Sequence, residues 1–274
     1  MTVLYRGMDR AALDVAYNNT KAVYDFQTLF AGFQTRSVHF YETTQCVRDL
    51  KYGSRLRERF DMIHGRGDNP PTVVYVHGGY WQTLCKEDFA FVAQGPLELG
   101  YNVVLAEYTL APQASMTQIV QEISRLLDHL AHNLDELNMG HGPVYLVGHS
   151  AGGHLSLVNR SHPLLTHTMV ISPLVDLEPI SLSWLNEKLN LTPGEIDLYS
   201  PLLHISEGTP MTVAAGTAEL PELVRHASEY AAAAAKSGEE VEYVVIDGRN
   251  HFTILEDLAC ASGVLAQALA RALR

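Results

Sequence analysis

From residue 72 onward, short apolar runs rich in β-branched residues alternate with longer segments whose apolar positions fall three and four apart. Residues 72–76, 102–107, 144–147, 168–172, 211–215 and 242–246 read as strands. Residues 89–99, 117–137, the segment from Ser150, the alanine-rich stretch 221–237 and a closing segment from Thr253 read as helices. Strands with apolar residues at consecutive positions are buried on both faces, and their alternation with helices builds a mostly parallel sheet covered on both sides. The pattern therefore predicts an α/β fold in which chemistry collects at the carboxyl ends of the strands.

The first part of the chain follows another rhythm. Asp9 is placed to cap a helix over 10–17, and a second amphipathic stretch covers 22–33. Residues 46–52 and 55–63 alternate apolar and charged positions about Gly53-Ser54, which predicts an antiparallel hairpin with a two-residue turn at the start of the sheet. The stretch 65–71, with two glycines and two prolines, is a surface loop. No repeat or linker divides the chain, so residues 1–274 are expected to form a single domain.

One junction stands out against this frame. Gly148-His149-Ser150-Ala151-Gly152 lies between a predicted strand and a predicted helix. A chain reversing sharply from strand to helix crowds its central residue, so small neighbours are required and the Ser150 hydroxyl is presented above the sheet edge. A serine hydroxyl attacks poorly unless an imidazole takes its proton and a carboxylate fixes that imidazole. On sheets with this elbow the acid and then the histidine follow the serine, each after a later strand. Among 13 histidines, His251 directly follows the last predicted strand and precedes the closing helix. Glu219 follows the strand at 211–215; Asp176, after the preceding strand, and Glu222, behind Pro221, are the competing acids. His77-Gly78-Gly79-Tyr80-Trp81 follows the first predicted parallel strand, where glycines let main-chain amides approach a developing oxyanion. Gly78 or Gly79 is expected to act there with the amide of Ala151. Tyr80 and Trp81 are candidate substrate contacts, with core packing the alternative for Trp81.

Charge and composition narrow the partners. A net charge of −12 without a Lys/Arg cluster argues against nucleic acid. No run of apolar residues approaches a membrane span and the first residues lack a signal-peptide pattern, so a cytoplasmic protein is expected. Cys46, Cys85 and Cys260 lie far apart, and His149 and His154 are spaced by five, so no disulfide framework and no metal site is anticipated. No cofactor is expected.

The motifs at 77–81 and 148–152, the segment Glu219-Leu220-Pro221-Glu222-Leu223 and Asn250-His251-Phe252 together resemble the arylformamidase (kynurenine formamidase) branch of the α/β-hydrolase superfamily. Tyr108-Thr109-Leu110-Ala111-Pro112 is similar to a segment shared with esterases of the hormone-sensitive-lipase type, and Tyr17-Asn18-Asn19 and Tyr52-Gly53 fit the bacterial members. Relatives commonly carry Asp where this chain has Glu219. The resemblance implies hydrolysis of an N-formyl aromatic amide, such as N-formyl-L-kynurenine, to formate and a free arylamine. Another small acyl ester or amide is the alternative substrate, and an inactive hydrolase fold that binds a partner is the alternative of another kind. The expected partner is a small acyl or formyl aromatic molecule, with a homodimer left open. Residues 177–199, with a capping-box pattern at Thr192 and Glu195, form either a small lid over the pocket or a helical surface connection.

Overall fold

In the computed structural model, which describes residues 2–205 and 207–272, eight strands form one sheet. They are β1 (Val47–Lys51), β2 (Arg59–Ile63), β3 (Thr72–Val76), β4 (Asn102–Ala106), β5 (Val144–His149), β6 (His167–Ile171), β7 (Met211–Gly216) and β8 (Val241–Ile246). Their order is β1-β2-β4-β3-β5-β6-β7-β8. The pairs from β4 through β8 are parallel, while β1 pairs antiparallel with β2 and β2 with β4. This is the α/β-hydrolase fold, a mostly parallel central sheet with an antiparallel N-terminal hairpin.

The helices are α1 (Arg10–Ala16), α2 (Asn19–Ala22), α3 (Phe26–Thr43), α4 (Gln94–Glu98), α5 (Met116–His132), α6 (Ala151–Val158), α7 (Glu178–Ser181), α8 (Asn186–Leu189), α9 (Pro193–Leu198), α10 (Pro221–Lys236), α11 (Glu256–Ala259) and α12 (Val264–Arg271). Side chains alternate across the sheet, so β3 serves two cores at once. Val74 and Val76 pack with Leu13, Ile119, Ile123 and Leu155 on one face. Val73 and Tyr75 pack with Phe33, Phe91, Leu265 and Leu269 on the other. Every residue of β3, β4, β5, β6 and β7 is buried, as consecutive apolar runs require.

Four local expectations are corrected. The β1–β2 connection spans residues 52–58 rather than two, because the buried Glu58 carboxylate accepts from the Arg55 amide and from Arg125 inside it. The amphipathic stretch expected at 22–33 is instead α3, which begins at Phe26 and runs to Thr43, burying Phe33, Ser37 and Phe40 on one face. The stretch 86–98 is a tight 3₁₀ segment (Lys86–Ala93) followed by α4, since Pro96 has no N–H for an α-helical bond to residue 92. The closing helix is broken into α11 and α12 by a turn in which the Gly263 amide donates to the Cys260 carbonyl.

Among the described residues no single helix is long and apolar enough to cross a membrane. The strand order reverses between β4-β3 and β3-β5, and such a switch point leaves a crevice at the strands' carboxyl ends. Both glycine motifs emerge there.

Candidate active site

Ser150 sits at φ 56°, ψ −118° between β5 and α6, a conformation that L residues adopt only under constraint. Its amide donates to the Ile171 carbonyl of β6 at 2.8 Å, which fixes the reversal from the neighbouring strand. The small neighbours are obligatory: a Cβ at Gly152 would collide with the Val76 carbonyl. The serine is only 2% exposed, so its hydroxyl faces a covered crevice rather than open solvent.

His251, in the loop after β8, brings Nε2 to 3.0 Å from Ser150 Oγ. Its Nδ1 lies 2.8 Å from Glu219 Oε2 and donates to it, which places the remaining ring lone pair on the serine side. Glu219 is itself held: Oε1 accepts from the Ser172 hydroxyl at 2.6 Å and from the Gly216 amide at 2.7 Å. The other two acids are engaged elsewhere. Asp176 accepts from Tyr5 Oη at 2.5 Å and from the Glu178 amide, and Glu222 pairs with Arg225 at 2.7 Å.

His149, directly before the serine, donates from its ring Nε2 to the His251 carbonyl at 2.8 Å and ties the elbow to the histidine loop, a role its sequence position does not announce. Burial, with the adjacent His251 ring, pushes the His149 imidazole well below its ordinary range, so it remains a neutral strut. Ser172 was also missed; its signal was a hydroxyl directly after β6, the neighbour of the strand that carries the acid.

The loop after β3 approaches the serine closely. A Cβ on Gly78 would lie 3.1 Å from Ser150 Cβ, and Gly79, at φ 113°, could carry none without striking the Thr83 carbonyl. The amides of Gly79, Tyr80 and Ala151 have no hydrogen-bond acceptor among the described residues. Trp81 is fully buried, edge-on to His154 with centroids 4.9 Å apart. Tyr80 is half-buried against Trp184, and the Glu219 charge adds to burial in raising its phenol above the ordinary value.

Beneath the loop, His77 Nδ1 faces the Gly78 carbonyl at 2.7 Å and Nε2 faces Glu107 Oε1 at 3.0 Å, while the ring stacks on Tyr108. Glu107 also accepts from Arg57 Nη2 and the amides of Lys86 and Tyr108. Burial alone would raise its carboxyl, but His77 and Arg57 outweigh it and hold it below the usual glutamate value.

Breaking a buried network of this kind leaves charges uncompensated, so Glu107→Gln should lower unfolding stability by about 3 kcal/mol in urea titrations at pH 7. The depressed carboxyl contributes fully above the unfolded-state value of about 4.3 and loses its contribution as pH falls through the lower folded value. The difference between wild type and variant should therefore shrink in acid. A gap under about 1 kcal/mol at pH 7 would show the network to be dispensable.

The N-terminal segment is strapped across this end of the sheet. Tyr80 Oη donates to the Tyr17 carbonyl and accepts from Asn19 Nδ2. Tyr17 Oη contacts His226 Nε2 at 3.0 Å, and Asp14 accepts from the Trp184 amide. Residues 177–199 form α7, α8 and α9, with the Thr192/Glu195 capping box in place and Ile180, Leu185 and Leu189 buried.

The chain is similar to known proteins along most of its length. The BD-FAE family profile matches residues 62–162. A kynurenine formamidase of Danio rerio is 29% identical over 82% of this chain and 81% of its own, and one of Drosophila melanogaster is 24% identical over 78% and 77%. Among solved structures, a candidate thioesterase from Silicibacter sp. TM1040 superposes with a TM-score of 0.85 at 27% identity, covering 94% of this chain and 98% of that one. An esterase of Pyrobaculum calidifontis shares the fold at TM-score 0.73 and 20% identity, covering 97% and 98%. With its sheet order and strand-to-helix elbow, these likenesses make the chain a hydrolase of the α/β-hydrolase superfamily that resembles the kynurenine formamidases.

Proposed function

We propose that the chain is a metal-independent serine hydrolase acting on N-formyl arylamines, N-formyl-L-kynurenine among them, in which Ser150 is the nucleophile, His251 the base and Glu219 the acid. The observation that carries this reading is the unbroken line Ser150–His251–Glu219 at 3.0 and 2.8 Å. His251 takes the hydroxyl proton as Oγ attacks the formyl carbon, and Glu219 stabilises the imidazolium. Amides of Gly78 or Gly79 and of Ala151 receive the oxyanion, already oriented before reaction. His251 then protonates the departing amine, and water releases formate from the acyl serine by the same steps in reverse.

The close packing of Gly78 on Ser150 suits a small acyl group. Tyr80 faces the aryl side, and residues 177–199, tethered through Trp184 and Leu185, are its proposed cover. The relatives named kynurenine formamidase support the substrate; the esterase-like neighbours favour a carboxylesterase or amidase of another small acyl group as the second reading.

Rates on N-formyl-L-kynurenine and on short p-nitrophenyl esters separate the two. The formamidase reading expects kcat/KM to favour the formamide by more than about tenfold, roughly 1.4 kcal/mol in transition-state binding. A smaller ratio returns the assignment to the esterase reading. A Ser150 that a fluorophosphonate probe fails to label would leave only an inactive, ligand-binding fold.

A further inference from the structure

Between β3 and the 3₁₀ segment at Lys86–Ala93, three consecutive residues have left-handed backbones: φ is 113° at Gly79, 51° at Tyr80 and 58° at Trp81. Tyrosine and tryptophan rarely adopt such angles, and a run of them persists only where the surroundings over-determine it. The flanking residues are held through their carbonyls. That of Gly79 accepts from the Gln82 and Thr83 amides at 3.0 and 3.1 Å, and that of Trp81 accepts from the Ala111 amide at 2.8 Å. Tyr80, between them, has neither its amide nor its carbonyl in a hydrogen bond among the described residues. Its polar anchorage is through the side chain.

That side chain is gripped by the Tyr17-Asn18-Asn19 segment, which no step of the proposed reaction uses. Tyr80 Oη donates to the Tyr17 carbonyl at 2.7 Å and accepts from Asn19 Nδ2 at 3.0 Å, across 63 and 61 residues of chain. A phenol has one proton to give, so the carbonyl takes it and Asn19 is the donor. The gripping segment is itself anchored. Tyr17 is buried, and its own hydroxyl lies 3.0 Å from His226 Nε2 and 3.2 Å from Glu222 Oε2 on α10, the helix that follows Glu219. Asn18 caps α2 by accepting from the Lys21 amide, and Asn19 is buried. On the other side of the left-handed run, Gly78 packs against Ser150, and the Gly79 and Tyr80 amides stand unbonded.

Resting on the serine-hydrolase reading above, we propose that Tyr17-Asn18-Asn19 is a clamp on the oxyanion loop, with Asn19 and the Tyr80 hydroxyl as positioning groups. By gripping the phenol, the clamp holds residues 79–81 in their left-handed run and keeps the loop's amides free beside Ser150 as the oxyanion forms. Donors oriented before reaction lower the barrier most, and a small displacement of them is costly. The clamp touches no reacting atom. It acts on the acyl oxygen through the loop, so its effect is the same whichever group departs.

Tyr80→Phe keeps the ring and removes both contacts, while Asn19→Ala removes one. Two reactions at Ser150 with unlike leaving groups read the result: labelling by a small fluorophosphonate, which expels fluoride, and turnover of formanilide, which expels aniline. Tyr80→Phe should slow both about tenfold, with the formanilide loss in kcat and KM within about twofold of wild type. Asn19→Ala should slow both about threefold, and the double variant should be no slower than Tyr80→Phe, because the hydroxyl that Asn19 serves is already gone. The final extent of labelling counts the folded molecules, so rates are compared per active site. Three results would overturn the clamp: wild-type rates in Tyr80→Phe, a loss carried by KM or confined to formanilide, or losses that multiply in the double variant. The second would make Tyr80 a contact of the leaving group, and the third would separate the two residues. If wild type takes the label but leaves formanilide intact, the labelling rates alone decide. Wild-type protein that neither takes the label nor turns over formanilide brings down the serine-hydrolase reading and this inference with it; a labelled wild type matched in rate by Tyr80→Phe brings down this inference alone.

Discussion

Ser150→Ala should lower kcat on a formylated arylamine by at least about 10⁴-fold, because among the described residues Ser150 Oγ is the hydroxyl hydrogen-bonded to His251 Nε2 and placed to accept the acyl group. The loss should fall on kcat, and circular dichroism and the thermal midpoint should stay within about 2 °C of wild type, since the side chain makes one hydrogen bond and fills little space. Its backbone supplies a sharper check. At φ 56°, ψ −118° an alanine remains as constrained as the serine, whereas glycine relaxes there. Ser150→Gly should be equally inactive yet more stable than Ser150→Ala by about 1 kcal/mol, the relief of that constraint less glycine's greater entropy in the unfolded chain. Turnover in either variant above one hundredth of wild type would remove Ser150 from the mechanism.

Glu219→Gln should cost about 10³- to 10⁴-fold in kcat with KM little altered. The neutral amide can still meet the Ser172 hydroxyl and the Gly216 amide, but it no longer stabilises the imidazolium or dictates which ring nitrogen of His251 carries hydrogen. Glu219→Asp should recover a substantial part, because the charge survives and only its reach shortens. Asp176→Asn is the matched control: its carboxylate is held by Tyr5 and the Glu178 amide, and its loss should leave kcat within about threefold of wild type. Comparable losses in the two neutralised variants would place the acid function at the end of β6 instead.

The parts of this molecule that were legible from the sequence are those fixed by local chemistry. The runs of Val, Ile and Leu in β3 to β7 could only be doubly buried strands, and the residues just beyond their carboxyl ends were by position the candidates for the site. Glu219 could be preferred because Gly216 ends β7 and Pro221 begins α10, which leaves a short loop between them. What escaped were contacts between residues far apart in the chain. Tyr5 with Asp176, Asp14 with the Trp184 amide and Tyr17 with His226 join segments separated by 171, 170 and 209 residues. No periodicity encodes such pairings, so the amphipathic pattern at 10–17 shows a helix without showing what it covers. The same limit applies to His149: its place beside the serine was plain, but its partner, the carbonyl of residue 251, lies across two further strands.

The His149 strut has one more consequence. Ser150, His251 and Glu219, the proposed nucleophile, base and acid, follow β5, β8 and β7, and they are cross-linked by the His149 bond to the His251 carbonyl and by Ser172 to Glu219. A fluctuation that drew the base away from the serine would have to break bonds in several strands together, a cost close to opening the sheet itself. The proposed reacting groups are therefore held by bonds that run across β5 to β8, and drawing one away from the others means loosening the sheet that carries them all.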